Sequence, residues 1–326
     1  MDDNKQLVDG FGRTIDYLRV SVTDFCNLRC RYCMPETGVE PMRHDELLTF
    51  EEIQEVVRYA AEFGFRKVRI TGGEPLIRRD IVTLVKMIAD VPGIDTLAMT
   101  TNGTLLSEYA ENLRGAGLDR VNISLDSLRP ATFAAITRRD CYAQAIEGIA
   151  AAQRAGLEPV KLNVVVMRGV NDAEIPEFVE FAVRHRVEIR FIEYMPHRDT
   201  TDNQNMAVSG REILDRIRES TEIEPVRVKS DTRGPAELYR IAGTPVRLGI
   251  ISSVSQPFCR TCNRLRLQSD GMLVACLYEG GTVNLKQLLR SGTSRSEIRQ
   301  AFETVVGLKP RVHSCTRSTT MNRLGG

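Results

Sequence analysis

Six times in roughly the first 220 residues, a short β-branched run is followed by an amphipathic stretch of helical period. This alternation limits the fold more than any other feature, because it is the pattern of repeated βα units on a parallel sheet. The strand candidates are Tyr17–Thr23, Lys67–Thr71, Thr96–Thr101, Arg120–Asp126, Val160–Met167 and Glu188–Tyr194. Thr49 followed by Phe50-Glu51-Glu52 reads as a capping box, and Ser107 before Glu108 reads as a second helix start. Gly115-Ala116-Gly117 and Ala155-Gly156 read as helix stops. Eight units close a barrel, so six predict an incomplete one, with functional groups at the carboxyl ends of the strands. Past Pro225 the pattern changes to short alternating strands at Val226–Ser230, Glu237–Ala242, Pro245–Ser252, Arg264–Gln268 and Met272–Cys276, the last two joined by an Asp270-Gly271 turn. Helices are expected near Asn284–Arg290 and Ser294–Val305. The expected fold is therefore α/β: an incomplete (β/α)6 barrel over residues 1–224, then a small C-terminal antiparallel β plus helix unit over 225–326. The polar stretch from His197 to about residue 208 reads as a mobile loop.

Composition narrows the function. With 326 residues and 42% hydrophobic content the chain can bury a real core, which excludes a stapled mini-protein. Lys and Arg number 44 against 43 Asp and Glu, so a net charge of +1 gives no bulk pull toward nucleic acid or anionic membrane, and any anion site must be local. No N-terminal apolar leader or membrane-length apolar run is visible, and a cytoplasmic protein is expected. In such a chain, clustered cysteines point to metal or redox chemistry rather than to disulfides. Six of the eight cysteines fall into two groups of three, while Cys141 and Cys315 stand alone and read as inert. None of the four histidines lies beside either group, which leaves mixed Cys/His zinc sites unsupported.

Cys26, Cys30 and Cys33 have C-x3-C-x2-C spacing directly after the first strand. Three thiolates without a nearby fourth leave one coordination position of a cluster open to a ligand. A Cys-rich loop, or zinc with a remote fourth ligand, is the plainer alternative. At these residues the sequence resembles the radical S-adenosylmethionine superfamily. The resemblance implies a 4Fe-4S cluster whose fourth iron is chelated by S-adenosylmethionine, and whose electron yields a 5′-deoxyadenosyl radical. Tyr32 matches the position against the adenine. Thr71-Gly72-Gly73-Glu74-Pro75 resembles the motif that binds the methionine amino group, which assigns Gly73 to the cofactor; Glu74 is a carboxylate able to accept from an ammonium. Ser124 and Met195, at the ends of the fourth and sixth strands, are cofactor contacts by the same resemblance.

Cys259, Cys262 and Cys276 form C-x2-C-x13-C, again without a fourth ligand, so a second cluster with an open iron reads better than a zinc ribbon, which normally shows a second C-x2-C pair. Next to them Arg264 and Arg266 share one strand face, and two planar guanidiniums suit a phosphate. Both triplets, Asn263-Arg264-Leu265-Arg266 and the terminal Gly325-Gly326 together resemble the GTP 3′,8-cyclase family of molybdenum cofactor biosynthesis. The resemblance spans nearly the whole chain, although Leu324 stands where the family usually has Ile. It implies two 4Fe-4S clusters and conversion of GTP to (8S)-3′,8-cyclo-7,8-dihydroguanosine 5′-triphosphate. Arg19, Arg69, Thr100, Lys161, Arg264 and Arg266 match its nucleotide positions, with Leu265 contributing backbone. Gly325 and Gly326 match a tail that enters the active site. It further implies a reducing electron donor, a downstream cyclic pyranopterin monophosphate synthase, and a monomer or homodimer. Two alternatives remain: a peptide-modifying radical enzyme with an auxiliary cluster, and a zinc-stabilised binding protein.

Overall fold

The computed structural model describes residues 6–195, 205–226, 234–278 and 282–313. Six parallel strands, β1 (Tyr17–Ser21), β2 (Lys67–Thr71), β3 (Thr96–Thr101), β4 (Arg120–Ser124), β5 (Lys161–Val166) and β6 (Glu188–Glu193), lie side by side in sequence order. They alternate with α1 (Phe50–Glu62), α2 (Ile81–Ala89), α3 (Leu106–Gly115), α4 (Pro130–Thr137) and α5 (Tyr142–Arg154), α6 (Ile175–His185) and α7 (Gly210–Arg218). This is the expected incomplete (β/α)6 barrel, and its sheet is open.

The C-terminal strands extend both edges of that sheet. On one side β9 (Arg247–Ile251) runs parallel to β6 and continues antiparallel to β8 (Glu237–Ile241) and β7 (Ile223–Pro225). On the other side β10 (Arg264–Leu267) runs parallel to β1 and continues through β11 (Met272–Val274) to β12 (Thr282–Asn284). The strands thus form one twelve-stranded sheet ending in antiparallel ribbons. Helices α8 (Leu285–Arg290) and α9 (Arg295–Gly307) follow, and Phe302 of α9 meets Phe63 and Phe65 edge-on beside β2.

Strand alternation places the site. On β1, β4 and β5 the outward residues Leu18, Val20, Val121, Ile123, Leu162 and Val164 are buried under the helices. Each such side chain contributes about 1.5–3 kcal/mol on burial. The inward residues Arg19, Arg120, Asn122, Lys161 and Asn163 line a cavity instead. The apolar outer face therefore offsets the cost of gathering polar groups inside.

Several expectations need correction. Helix α3 begins at Leu106, not after Ser107, because Leu106 N–H already donates to Gly103 O at the preceding turn. A short strand forms at Ile223–Pro225, ahead of the one expected at Val226–Ser230, whose residues 227–230 lie outside the described residues. Ala207 bridges Met167 and Val208 is buried, so the end of the stretch expected to be mobile is packed; 196–204 lie outside the described residues, as do Cys315, Gly325 and Gly326. Elsewhere the local rules hold: Thr49 caps α1 in a full capping box, and Gly117, at φ +100°, ends the turn after α3.

Candidate active site

The first cysteine loop is pinned from three sides on the carboxyl rim. Gly73 N–H donates to Thr23 O (2.7 Å) and Glu74 N–H to Phe25 O (2.8 Å), stitching the loop to the end of β2. A Cβ on Gly73 would lie 2.1 Å from Phe25 O, so glycine is required there. Asn102, just after β3, donates to Asn27 Oδ1 (2.7 Å) and reaches Cys26 Sγ (3.9 Å). From the end of α4, Thr137 O and Ile136 O accept from Arg29 N–H and Arg31 N–H.

Here Tyr32 donates to Asp126 Oδ2 at 2.6 Å, and Asp126 follows Ser124 by two residues. Burial pushes Asp126 up to about 6, with the Tyr32 and Val165 hydrogen bonds pulling the other way. Both Glu74 oxygens are engaged within the protein, by Thr101 Oγ1 (2.7 Å), Leu76 N–H (3.1 Å) and Asn102 N–H (2.7 Å), so its carboxylate braces β3. Burial, then Glu74, drives the Cys26 thiol up to about 12. Burial, then Asp126, Cys33 and Cys26, drives Cys30 well above the usual thiol range. The three sulfurs are thus near enough to oppose one another's ionisation, and a cationic iron–sulfur cluster is the partner that would hold them as thiolates. Among the described residues no three Cys, His, Asp or Glu side chains gather to hold a single metal ion. A cluster instead spreads its thiolates over separate irons.

The second triplet opens on the cavity inside the sheet, which has a volume of ≈ 290 Å³. Cys259, Cys262 and Cys276 form part of its wall. All six predicted nucleotide side chains other than Leu265 face it: Arg19, Arg69, Thr100, Lys161, Arg264 and Arg266. Leu265 points the other way into the core, which leaves its backbone as its only possible contribution. Of the cofactor set Met195 reaches the lining, whereas Tyr32, Gly73 and Ser124 sit on the rim outside it. Lys67, Arg120 and Arg190 bring the cavity's cations to eight, and no carboxylate lines it among the described residues. These three were not predicted, nor were Tyr17, Asn122 and Asn163. The signal was the period of two: Lys67, Tyr17, Asn122 and Asn163 each lie two residues from a predicted site residue on the same strand, while Arg120 lies two residues from Asn122 and Arg190 is in register with Asn163.

The cations shape one another. Burial, then Arg266, lowers Arg19 well below the ordinary arginine range, and burial with Arg264 takes Arg266 down to about 10. Burial would raise Tyr17, yet Arg69 and Arg19 bring it down to about 8. Just behind the wall, Glu188, its side chain 4% exposed, pairs with Lys161 (3.1 Å), Arg190 (2.8 Å) and Arg247 (3.1 Å). Lys161 still falls to about 8, from burial and then Arg190. Burial would raise Cys262 too, but Arg264 and Lys309 bring it down to about 6. The donor set at this wall fits a cluster held as thiolates, beside a space that favours an anion.

Residues 20–182 match the Radical SAM superfamily, and residues 187–315 match Molybdenum Cofactor Synthesis C. The GTP 3′,8-cyclase of Geobacter sulfurreducens is 46% identical, over 98% of this chain and 100% of its own length. That of Petrotoga mobilis is 45% identical with the same coverage. Among solved structures, Streptococcus suis SuiB bound to S-adenosylmethionine has a TM-score of 0.61 at 14% identity, covering 93% of this chain and 76% of that one. Native anSMEcpe with bound AdoMet has a TM-score of 0.60 at 14% identity, covering 93% and 92%. These two likenesses concern the fold alone. The identity to the cyclases runs from end to end, with both family matches in turn along the chain, and this protein belongs to the GTP 3′,8-cyclase family of the radical SAM superfamily.

Proposed function

We propose that this enzyme converts GTP to (8S)-3′,8-cyclo-7,8-dihydroguanosine 5′-triphosphate, the first step of molybdenum cofactor biosynthesis, and that the eight-cation cavity walled by Cys259, Cys262 and Cys276 holds the nucleotide. As a radical SAM enzyme it uses S-adenosylmethionine and an iron–sulfur cluster. When bound at Cys26, Cys30 and Cys33, that pair supplies hydrogen-atom abstraction. In the substrate, a hydrogen leaves C3′, C3′ bonds to C8 of the same guanine, and one electron and one proton complete the product. The protein's part is to hold C3′ and C8 within reach of each other and to exclude water.

Tyr32, Gly73, Ser124 and Met195 are proposed to hold the cofactor on the rim. Arg19, Arg69, Thr100, Lys161, Arg264 and Arg266, with the Leu265 backbone, are proposed to hold the nucleotide. Guanidiniums and an ammonium suit a triphosphate because they bring charge to a site the net charge of +1 leaves to local residues. Cys259, Cys262 and Cys276 would hold a second 4Fe-4S cluster, whose open coordination position would suit a purine donor atom. His313 lines the same cavity, and Gly326 lies thirteen positions further along the chain. At about 3.3 Å per residue the tail is long enough for Gly325 and Gly326 to enter. Residues 1–224 then house cofactor cleavage, and 225–326 complete the substrate side. A reducing donor, a downstream cyclic pyranopterin monophosphate synthase, a monomeric or homodimeric state and the cytoplasm complete the reading. Among the described residues, no helix is long and apolar enough to cross a membrane.

The test is anaerobic reconstitution, then incubation with dithionite, S-adenosylmethionine and GTP, with products read by mass spectrometry. A cyclised GTP isomer is expected beside 5′-deoxyadenosine; 5′-deoxyadenosine with GTP unchanged defeats the substrate assignment. Arg266→Ala is expected to weaken GTP binding while uncoupled cofactor cleavage persists.

A further inference from the structure

Beyond α9 the chain returns across the outer side of the second triplet. Lys309, only 4% exposed, donates through Nζ to Arg264 O (2.7 Å) and Ala275 O (3.1 Å), and the same ammonium lies 3.7 Å from Cys262 Sγ. Arg264 is two residues past Cys262 and Ala275 immediately precedes Cys276, so one side chain joins the two segments that carry these ligands. The next residue is tied as well. Pro310 O accepts from Arg13 Nη2 (2.9 Å), whose other arm, Nη1, donates to Cys259 O (2.6 Å). Asp9 fixes that guanidinium through a buried ion pair. Three residues on, His313 stacks on Tyr278 with ring centroids 3.8 Å apart, and its Nε2 lies 3.1 Å from Ser253 O. Segment 309–313 is a strap over all three ligand positions.

Lys309 does not line the nucleotide cavity. Burying an ammonium is costly unless it is fully hydrogen-bonded, and here its donors go to two carbonyls and a thiol rather than to a carboxylate. We infer that Lys309 is a positioning residue for the second cysteine site, fixing the spacing of Cys262 and Cys276 and donating a hydrogen bond to the Cys262 sulfur of the cluster held there. This inference rests on the second-cluster reading above. Donors to a cluster sulfur raise its reduction potential, and outer partners of metal ligands typically govern affinity by about 10- to 100-fold.

The test uses the full chain carrying Cys26→Ala, Cys30→Ala and Cys33→Ala, so that only the second site is observed. Lys309→Met and Lys309→Arg are compared in that background after anaerobic reconstitution. Iron loss to a chelator and an EPR-monitored potential titration are the readouts, and circular dichroism checks the fold. Lys309→Met is expected to lose iron about 10-fold faster or more. The remaining cluster should titrate at a more negative potential, and Lys309→Arg should recover part of both. Unchanged loss and potential overturn the inference; so does faster loss at an unchanged potential, the mark of a merely structural prop. Should Lys309→Met fail to fold, Lys309→Arg decides against the parent: a more negative potential and faster iron loss, from its displaced donors, are expected, and an unchanged value of either overturns the inference. If the background protein binds no iron, it is the second-cluster reading that fails.

Discussion

Burial makes the Cys26 and Cys30 thiols resist ionisation, and the neighbouring carboxyl groups of Glu74 and Asp126 add to it. Cys262, just as buried, faces Arg264 and Lys309 and comes down to about 6. The two triplets carry the same number of sulfurs in opposite fields. A carboxylate-flanked site on the rim favours a cationic occupant, and S-adenosylmethionine is a sulfonium. A cation-walled site inside the sheet favours an anion, and GTP carries a triphosphate. Spacing marks both as candidate cluster loops, and the sign of the surrounding charge supports the proposed placing of the cofactor at the rim and the nucleotide in the cavity.

The largest effects should come from removing one sulfur at each site. Cys30→Ala is expected to reduce 5′-deoxyadenosine formation to background. Cys262→Ala should leave that formation intact while cyclised nucleotide disappears. Chromatography of both products distinguishes the cases, and loss of 5′-deoxyadenosine in Cys262→Ala would break the division of labour. Gly73→Ala comes next, because its Cβ would collide with backbone, Phe25 O, which cannot yield as a side-chain tip can. Forcing such overlap typically costs about 1–3 kcal/mol. Calorimetry should show S-adenosylmethionine binding lost and GTP affinity held within roughly twofold, since distant sites add nearly independently.

A smaller effect sharpens the anionic side. Lys161 titrates at about 8, so it is charged below that pH and neutral above it. Triphosphate binds the charged form better, and GTP affinity should therefore fall as pH rises through 8, by at most about tenfold per unit for one proton. Lys161→Arg, charged throughout, should flatten that inflection. If the inflection survives in Lys161→Arg, a different group titrates, and Tyr17 at about 8 is the next candidate.

Much of this was legible because it is local. The six barrel strands lie within two residues of where β-branching put them, and the Thr49 and Ser294 caps follow from a hydroxyl with a glutamate three residues on. The predicted nucleotide residues converge because period-two alternation sends them to one face of parallel strands. What was not legible depends on long-range pairing. Ser107 looks like a cap, but the Gly103 turn starts the helix earlier. β12 is only three residues long and exists because β11 pairs with it. Lys309 and Arg13 reach the second triplet from opposite ends of the chain, Arg13 across 246 residues to Cys259, and no local pattern marks them. Glu74 illustrates the converse: its motif suggests a ligand contact, while packing commits both oxygens to the end of β3.

The smallest predicted effect tests whether the rim is independent of the cavity. Tyr32→Phe keeps the ring that the family resemblance sets against the adenine but removes the hydroxyl that donates to Asp126 Oδ2 at 2.6 Å. Asp126 Oδ1 still accepts from Val165 N–H at 2.8 Å, so the loop loses that buried, charge-assisted hydrogen bond and the Tyr32 contact to the Cys30 thiol, but not its whole anchor. Such a bond is worth about 1.5–3 kcal/mol. Part of that loss should appear as a several-fold rise in KM for S-adenosylmethionine, with kcat and GTP affinity unchanged. Asp126 should at the same time titrate above its present value of about 6, because the donor that favours its carboxylate is gone. Equal weakening of cofactor and nucleotide would instead mean that the Tyr32–Asp126 pair braces β4 and β5 down into the cavity, where Asn122 and Asn163 lie on the same strands. The opposite fields of the two triplets would then act through a shared frame rather than as two separable sites.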